Sequence, residues 1–327
     1  MTKSPFLFAA VCFSFMAGQV TPAPCAGWPS RVFAPYMYVG AGDDFKITRC
    51  DDACGQKYYT LAFIIADSSN NPAWDGRIPM EKDFYKEQID AIRSRGGDVI
   101  VSFGGEAGTE LALIDSDLAS LQSKYQGIID RYKLTWLDFD IEGDALENRD
   151  ANQRRNTVLA SLQAKNPGLI ISYTLPVDPN GISDDAQDLL ADAKARGVKV
   201  RCANVMTMDF GPKFSKGKKM SDVSIASALK AYEQCRNIDP LIQIGLTPDI
   251  GQNDEKSEIF TEADAQALKN WATTEPWVCG LSFWSSNRDS GRPGKKNDDT
   301  RSGIPQKPWD FTNIFKTFTA SSPPNLP

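Results

Sequence analysis

The chain has 327 residues, of which 41% are hydrophobic and 24% are charged, so its composition is that of a folded protein and not of a disordered one. Its formal net charge of −6 excludes a general nucleic-acid binder, which would carry the opposite balance. The chain contains no histidine. This excludes Ser-His-Asp and Cys-His catalysis and HExxH zinc sites within the chain. If the protein is an enzyme, carboxylates are the expected proton carriers.

The N-terminal segment has the pattern of a secretory signal peptide. Lys3 is followed by an apolar run over residues 6–17 and then by small residues up to Pro24, with no acidic residue before Asp43. The run is too short to span a bilayer stably. A buried N-terminal strand or helix is the alternative, but one Lys before a solid apolar block favours export. We therefore predict a secreted, extracellular protein without a membrane anchor.

Beyond residue 24 the chain holds six cysteines, an even number that suits an oxidising compartment. Cys50 and Cys54 are close enough in sequence for a local disulfide, whereas Cys202 and Cys235 would flank one strand-to-helix step. A metal cluster is the weaker alternative because the chain has no CxxC pair and no His. The sequence predicts disulfide bonds of undetermined pairing.

Short apolar, β-rich runs recur eight times at intervals that each accommodate one strand, one helix and two loops. They begin near Val32, Tyr59, Asp98, Leu134, Leu169, Lys199, Leu241 and Val278. Helical patterns lie between them. These are the apolar face of Phe84, Ile89 and Ile92, the stripe of Ile225, Leu229 and Tyr232, and a capping-box start at Thr261.

Eight such units in about 300 residues favour an α/β fold of the (β/α)8 TIM-barrel type over an open doubly wound sheet. The predicted division is a signal peptide and short Pro-containing lead over residues 1–24, a single barrel domain over 25–320, and a disordered tail over 321–327.

The fourth strand carries three acidic residues at alternate positions. Asp138, Asp140 and Glu142 point one way, and the apolar residues between them point the other. In a barrel the apolar set packs against the helices, and the carboxylates rise through the interior to the C-terminal rim, where barrel enzymes place their active sites.

Three neighbouring, partly desolvated carboxylates raise at least one pKa, and a carboxyl group that keeps its proton is what general acid catalysis needs. A metal site and a solvated acidic face of an edge strand are the alternatives. The apolar opposite face of this strand favours the catalytic interpretation.

Four motifs resemble those of one known family. Asp138-x-Asp140-x-Glu142 is similar to the signature of glycoside hydrolase family 18, which contains the chitinases and related endo-β-N-acetylglucosaminidases. Ser102-Phe-Gly-Gly105 resembles the family's SxGG motif, Met206-Thr-Met-Asp209 its sixth-strand motif, and Leu281-Ser-Phe-Trp284 its eighth-strand tryptophan. These motifs lie on predicted strands three, four, six and eight, so the resemblance covers essentially the whole mature chain.

The resemblance implies retaining, substrate-assisted hydrolysis of β-1,4-linked N-acetylglucosamine polymers. Glu142 would protonate the glycosidic oxygen, and the substrate's own acetamido oxygen would attack the anomeric carbon. Asp140 would orient the acetamido N–H and stabilise the oxazolinium intermediate, while Asp138 would tune the ionisation of Asp140. Glu142 would then act as base toward water. This chemistry needs no metal or cofactor.

The predicted substrate-binding residues come from the motifs and from strand ends. Trp284 would form the apolar floor of the −1 subsite, and Asp209 would reach acetamido or hydroxyl groups. The remaining candidates are Met206, Ser102, Gly104 and Gly105 from the motifs, and Tyr36, Tyr173 and Gln243 near the ends of strands one, five and seven. Trp74, in a long loop, is a candidate for extending the cleft.

The chain departs from the family pattern at two positions. Thr135 stands where the long form of the acidic motif begins with Asp, and Met208 stands where the sixth-strand motif commonly has Tyr. That Tyr normally hydrogen-bonds the acetamido carbonyl, so either Tyr173 substitutes for it or the intermediate is stabilised less. About 30 residues separate strands seven and eight, too few for the small α+β domain of many relatives. This predicts an open groove and endo action.

The leading hypothesis is a secreted, monomeric endochitinase acting on chitin or chitooligosaccharides, without nucleic-acid or membrane partners. An endo-β-N-acetylglucosaminidase acting on N-glycan cores would use the same acidic strand. A non-catalytic chitin-binding lectin on the same barrel is the alternative from another class, but such proteins usually lose the acid or its partner, and this chain keeps all three carboxylates.

Overall fold

The computed structural model describes residues 27–42, 45–294 and 297–319. The predicted signal peptide and tail lie outside the described residues, and the domain boundaries proposed from the sequence stay predictions. Within the described ranges, eight strand positions form a mostly parallel sheet. They are β1 (Val32–Phe33 and Tyr36–Tyr38), β2 (Tyr58–Ala66), β3 (Asp98–Gly104), β4 (Trp136–Asp140), β5 (Ile170–Pro176), β6 (Val200–Met206), β7 (Gln243–Thr247) and β8 (Val278–Leu281).

The two ends of this sheet are joined at β1. Its first segment pairs in parallel with β8 and its second with β2. The pairing is not one uninterrupted ladder around a closed ring, because Pro35 lies between the segments and has no N–H to donate. The N–H of Ala34 nevertheless donates to Leu281, and the carbonyl of Pro35 accepts from Thr60, both at 3.0 Å. The predicted TIM-barrel class is confirmed, with strand starts within two residues of those expected.

Helices alternate with the strands along the chain. They are α1 (Ile47–Cys54), α2 (Lys86–Ser94), α3 (Leu111–Ile114), α4 (Leu118–Tyr132), α5 (Gly143–Glu147), α6 (Arg149–Lys165), α7 (Asp184–Ala195), α8 (Pro212–Ser215), α9 (Met220–Ile238), α10 (Glu262–Thr274) and α11 (Asp310–Phe315). Four antiparallel pairings occur within the described ranges. Pro72–Trp74 pairs with the end of β2 and with Ile78–Pro79, and the other two join Gly251–Gln252 to Ile259–Phe260 and Asn297–Asp298 to Arg301–Ser302.

Two of the predicted helix patterns needed correction. Leu229 of α9 is 48% exposed, because α9 turns its small residues, among them Ser227 and Ala228, toward the core. Phe84 precedes α2 and is 36% exposed, whereas Ile89 and Ile92 are buried as expected. The predicted capping box at Thr261 is present, since its side chain and that of Asp264 satisfy each other's backbone N–H groups. None of the described helices has the length and apolar character needed to cross a membrane.

Apolar packing occurs in two separate places. The larger core lies between the sheet and the helices and includes Leu137, Phe139 and Ile141, the apolar face of the acidic strand. A smaller core inside the sheet includes Val32, Ile100, Trp136 and Ile170. Trp136 precedes Asp138 by two residues on the same face, so the interior changes from apolar to acidic along β4 toward its C-terminal end.

The described cysteines, Cys50, Cys54, Cys202, Cys235 and Cys279, all have free thiols. The sulfur atoms of Cys50 and Cys54 lie 3.3 Å apart in α1. Cys202 hydrogen-bonds to Cys279 of β8 and not to Cys235 of α9. The structure therefore does not show the disulfide bonds expected from the cysteine count.

Candidate active site

A cleft with a volume of about 760 Å³ lies over the C-terminal ends of the strands. Asp140, the last residue of β4, and Glu142, two residues beyond it, both line this cleft. Asp138 lies one step deeper in the barrel and is 3% exposed. The alternation of β4 thus places the three acidic residues on one inward face, as the sequence predicts.

Asp138 is held by hydroxyl groups from neighbouring strands. Its carboxylate accepts from Ser172 Oγ at 2.6 Å, from Ser102 Oγ at 2.7 Å, and from Tyr36 Oη and Thr174 Oγ1 at 3.0 Å. Ser102 and Ser172 are its direct register partners on β3 and β5. Burial raises the pKa of Asp138, and these hydroxyl donors act in the opposite direction. Ser102 therefore lies beneath the cleft, where it holds Asp138 and does not line the substrate space.

Asp140 and Glu142 form a coupled pair. Burial, the charge of Glu142 and the charge of Asp138, in that order, raise the pKa of Asp140 well above its ordinary value. Burial also raises the pKa of Glu142, while its hydrogen bond with Asp140 lowers it. The pair therefore keeps a proton at a pH where exposed carboxyl groups have lost theirs. Asp140 is 5% exposed, and its Oδ1 has no partner within the described protein.

Two glycines allow β3 to approach the end of β4. Gly104 has φ +96°, and a β-carbon there would lie 2.1 Å from the carbonyl oxygen of Asp140. Gly105, with φ +87°, donates its N–H to the same oxygen at 3.0 Å. A β-carbon at Gly105 would also meet the ring of Phe63 at 2.7 Å. The structure therefore places these predicted substrate-binding residues in a positioning role, because they fit the backbone around Asp140 and do not line the cleft.

Trp284 provides an aromatic surface beside the carboxylates. Its indole is stacked on Phe63 with ring centres 5.7 Å apart, and Tyr38 and Tyr36 lie against it at 5.3 and 6.0 Å. All four rings line the cleft. Peptide bonds 62–63 and 284–285 are cis. Since sugar faces stack on aromatic rings, this cluster is suited to hold a pyranose next to Asp140 and Glu142.

The sixth-strand motif also reaches the cleft. Met206 ends β6, and Met206, Met208 and Asp209 all line the cavity. Asp209 has φ +49°, and its Oδ1 accepts the N–H of Glu255 at 2.6 Å. Burial raises the pKa of Asp209. Its carboxylate is thus fixed by the loop that follows β7.

Three predicted contacts lie elsewhere. Tyr173 is fully buried on the outer face of β5 and donates to Asn156 of α6; alternation turns its neighbours Ser172 and Thr174 inward instead. Tyr173 is therefore not available to replace the tyrosine that is missing at Met208. Gln243 is the first residue of β7, at the opposite end of the strand from the cleft. Trp74 is buried and donates to Tyr132, so it does not extend the cleft.

Sequence reasoning missed several cleft residues. Thr174 lies two residues before the end of β5, and Asp249 lies two residues beyond the end of β7. A systematic search of the residues around strand ends would have found them. Glu106, Asp299 and Arg288 come from loops and have no local signal in the sequence. Among the described residues, no group of three or more Cys, Asp or Glu side chains is arranged to hold a metal ion.

The structure resembles a solved catalytic domain closely. The catalytic domain of the hyperthermophilic chitinase from Pyrococcus furiosus is 32% identical, and the match covers 93% of this chain and 98% of that domain with a TM-score of 0.81. The chain belongs to glycoside hydrolase family 18. Another match, 33% identical over 91% of this chain and 98% of the other with the same TM-score, is to catalytic-site mutants of active domain 2 of that thermostable chitinase, complexed with chito-oligosaccharides.

Curated relatives of this family 18 chain are longer than it is. A probable bifunctional chitinase/lysozyme of Escherichia coli is 30% identical over 90% of this chain, and Endochitinase 11 of Metarhizium anisopliae is 30% identical over 81%. The matches cover only 35% and 54% of those two proteins. A comparison with models of protein families finds no match.

Proposed function

We propose that this family 18 chain hydrolyses β-1,4-linked N-acetylglucosamine in chitin or chitooligosaccharides by a retaining, substrate-assisted mechanism. The observation that carries the proposal is the row of three carboxylates, Asp138, Asp140 and Glu142, on the inward face of β4. Asp140 and Glu142 line the same cleft as Trp284 and keep a proton between them. The chitinase relatives support the same substrate class.

In the first step Glu142 donates its proton to the glycosidic oxygen, and the bond between that oxygen and the anomeric carbon breaks. The substrate's own acetamido oxygen attacks the anomeric carbon and forms an oxazolinium ring, so no protein nucleophile is needed. Asp140 accepts the acetamido N–H at Oδ1, the buried atom without a protein partner. Because the proton that the pair held has passed from Glu142 to the leaving oxygen, Asp140 is a carboxylate at this point, and its negative charge stabilises the positive ring.

In the second step the Glu142 carboxylate removes a proton from a water molecule, which attacks the anomeric carbon and opens the oxazolinium. The product keeps the β-configuration because the anomeric carbon is inverted twice. Asp138 lies one step deeper in the barrel than Asp140 and acts as a positioning residue without touching the substrate. Its hydroxyl donors, Tyr36, Ser102, Ser172 and Thr174, hold a second negative charge close to Asp140.

We also propose endo action and secretion. The described segment between β7 and β8 holds one short hairpin and α10. No domain is inserted between these two strands, so an internal stretch of a polymer can enter the cleft from this side. Export rests on the pattern of residues 1–24, in which Lys3 precedes an apolar block.

The test is a product time course on chitin oligomers with anomer detection, for the wild type and for Glu142→Gln. We expect the β-anomer from the wild type, and loss of hydrolysis with retained oligosaccharide binding from the variant. Glu147→Gln is a matched control, because this exposed residue of α5 makes the same change outside the cleft. Near-normal turnover by Glu142→Gln, or release of the α-anomer, would contradict the mechanism.

A parallel assay on a high-mannose glycoprotein separates the chitinase from the N-glycan hypothesis. Cleavage of chitin oligomers supports the chitinase. Cleavage of the glycoprotein alone would assign the chain to the endo-β-N-acetylglucosaminidases.

A further inference from the structure

The cleft carries far more negative than positive charge. Among the described residues that line it, ten are Asp or Glu and one, Arg288, is a cation. The mechanism uses only Asp140 and Glu142 from this set. The other carboxylates donate no proton in the proposed steps, although Asp209 is a predicted substrate-binding residue and Glu106 raises the pKa of Glu142. An uncharged N-acetylglucosamine polymer does not require this excess of negative charge, because neutral side chains can bind its hydroxyl and amide groups.

Arg288 does not offset this charge, because it is paired with Asp249. Arg288 Nη1 contacts Asp249 Oδ1, and the two side chains are 4% and 3% exposed. The two opposite charges are therefore buried together and offset each other. Against the larger effect of burial, Arg288 also lowers the pKa of Asp209 and of Asp299 without forming an ion pair with either. Two further acids at the rim are neutralised in the same way, Asp75 by Arg77 and Asp298 by Arg301.

Five lining carboxylates remain. Asp254 lies 4.0 Å from Arg288, and Glu255 accepts the hydroxyl of Ser257, which leaves Glu106, Asp209 and Asp299. Among the described side chains, no Lys or Arg nitrogen forms an ion pair with Glu106, Asp209 or Asp299. Glu106 and Asp299 are exposed to solvent within the cleft wall. Glu106 raises the pKa of both Glu142 and Asp209, so its charge acts across the space where the substrate is cleaved.

The carboxylates of Glu106 and Asp299 line the same cavity as a buried polar atom without a hydrogen-bond partner. Oδ1 of Asp140 is buried without a protein partner and lies in the cavity that Glu106 and Asp299 line. This oxygen can accept a hydrogen bond from an acetamido N–H, so the sugar unit at the point of cleavage must be acetylated. The neighbouring sugars have no such requirement, since the acetamido group reacts only at that one position.

We infer that the cleft selects partially N-deacetylated chitin, with an N-acetylglucosamine unit over Trp284 and cationic glucosamine units beside it, whose ammonium groups pair with Glu106 and Asp299. This inference rests on the proposed function and specifies its substrate. The chemistry of cleavage is unchanged, because the acetylated unit still supplies the attacking oxygen.

The size of the effect follows from Coulomb's law. A unit charge pair about 4 Å apart in a water-like medium favours binding about fivefold at low ionic strength. Salt at about 0.1 M reduces the Debye length to about 10 Å and weakens such exposed pairs. A cationic polymer should therefore lose affinity as salt rises, whereas a neutral polymer should not.

The experiment compares three soluble polymers of matched length at mildly acidic pH, where the sugar amines are protonated. They are partially deacetylated chitosan, neutral glycol chitin and anionic carboxymethyl chitin. For the wild type at low salt, we expect the lowest KM for chitosan and the highest for carboxymethyl chitin, converging as NaCl is added. Sequenced chitosan fragments should have N-acetylated reducing ends next to positions enriched in glucosamine.

Asp299→Asn and Glu106→Gln should each lower the ratio of kcat/KM on chitosan to kcat/KM on glycol chitin about fivefold at low salt. Glu87→Gln, an exposed position on α2 outside the cleft, is the matched control and should leave that ratio at the wild-type value. Asp299→Asn is the cleaner variant, because Asp299 does not perturb the pKa of Glu142.

The outcomes separate this inference from the proposed function. Cleavage of glycol chitin with β-anomer release, but equal KM values and equal salt dependence on all three polymers, overturns the charge selection alone. A ratio that is unchanged in both cleft variants does the same. Failure to cleave either chitosan or glycol chitin overturns the proposed function and this inference with it.

Discussion

The backbone N–H of Gly105 donates to the carbonyl oxygen of Asp140 across 3.0 Å, and this bond joins the end of β3 to the end of the acidic strand. The two strand ends are so close that the residue before Gly105 must also lack a side chain. A β-carbon at Gly104 would lie 2.1 Å from the same carbonyl oxygen. The SxGG motif therefore sets where the backbone of Asp140 stands.

Gly104→Ala should lower kcat about 100-fold, because a shift of about 1 Å at a reacting group has an effect of that size. The new methyl group would push β3 from β4, and φ +96° is unfavourable for alanine. The measurement is kcat on chitin oligomers, with circular dichroism to confirm folding.

Gly127→Ala is the control. Gly127 lies in α4 with no heavy atom within 4 Å of a new β-carbon, so this variant should keep full activity and gain about 0.5–1 kcal/mol of stability. Wild-type kcat in Gly104→Ala would show that the strand ends can separate harmlessly.

The pH profile should report the raised pKa of Glu142. In the proposed mechanism Glu142 donates a proton, so activity should be lost as pH rises through this pKa. Burial places that limb above the ordinary glutamate value of about 4.3. The negative charge of Glu106 contributes to the shift. Glu106→Gln should therefore move the basic limb of kcat toward lower pH, and Glu87→Gln should leave it in place. A limb that stays fixed in Glu106→Gln would contradict the coupling between these two residues.

Arg155→Met should destabilise the fold by about 3–5 kcal/mol, because it leaves the carboxylate of Glu110 buried without its partner. The two side chains are 0% and 2% exposed and lie 2.7 Å apart. Glu110 also accepts from Tyr125 and from the N–H of Ala112, so the ion pair ties the loop after β3 to α3, α4 and α6.

Urea unfolding at constant slope measures this loss. Arg149→Met is the matched control, since Arg149 pairs with Asp188 at the surface and is 71% exposed. Exposed pairs contribute about 0–1 kcal/mol. Equal unfolding midpoints for the two variants would show that the buried pair is not a structural anchor.

Trp284→Ala should weaken oligosaccharide binding by removing the surface on which a sugar stacks. An aromatic side chain covered by ligand contributes about 2 kcal/mol, which corresponds to about 30-fold in Kd. Binding is best measured calorimetrically in the Glu142→Gln background, where no hydrolysis interferes. Trp271→Ala removes the same side chain from α10, outside the cleft, and should leave Kd unchanged. An equal loss of affinity in both variants would attribute the effect to general destabilisation.

The placement of the three carboxylates of β4 was predictable from the sequence because it depends on local geometry alone. Side chains two residues apart on a strand share a face, so the spacing of Asp138, Asp140 and Glu142 determined that they rise together. The eight recurring strand runs determined the fold class for a similar reason, since each βα unit leaves its own apolar pattern.

Tyr173 and Gln243 show where that reasoning failed. Both were assigned to strand ends from approximate strand starts. For Tyr173, an error of one residue turns the side chain to the opposite face of the strand. For Gln243, the error concerns which end of the strand the residue occupies. Tyr173 is on the helix side of β5, and Gln243 begins β7 instead of ending it. Alternation gives the correct face only when the register is known, and the register is set by neighbouring strands.

The rest of the site depended on tertiary structure. The four hydroxyl donors to Asp138 come from β1, β3 and β5, and the cleft carboxylates Glu106 and Asp299 come from loops about 190 residues apart in sequence. The chain by itself determined its fold class, its acidic strand and, through the lack of histidine, the exclusion of histidine-based catalysis. Only the packing of the strands and loops in three dimensions decided which hydroxyl groups hold Asp138 and that the cleft is strongly negative, because those contacts join residues with no shared local pattern.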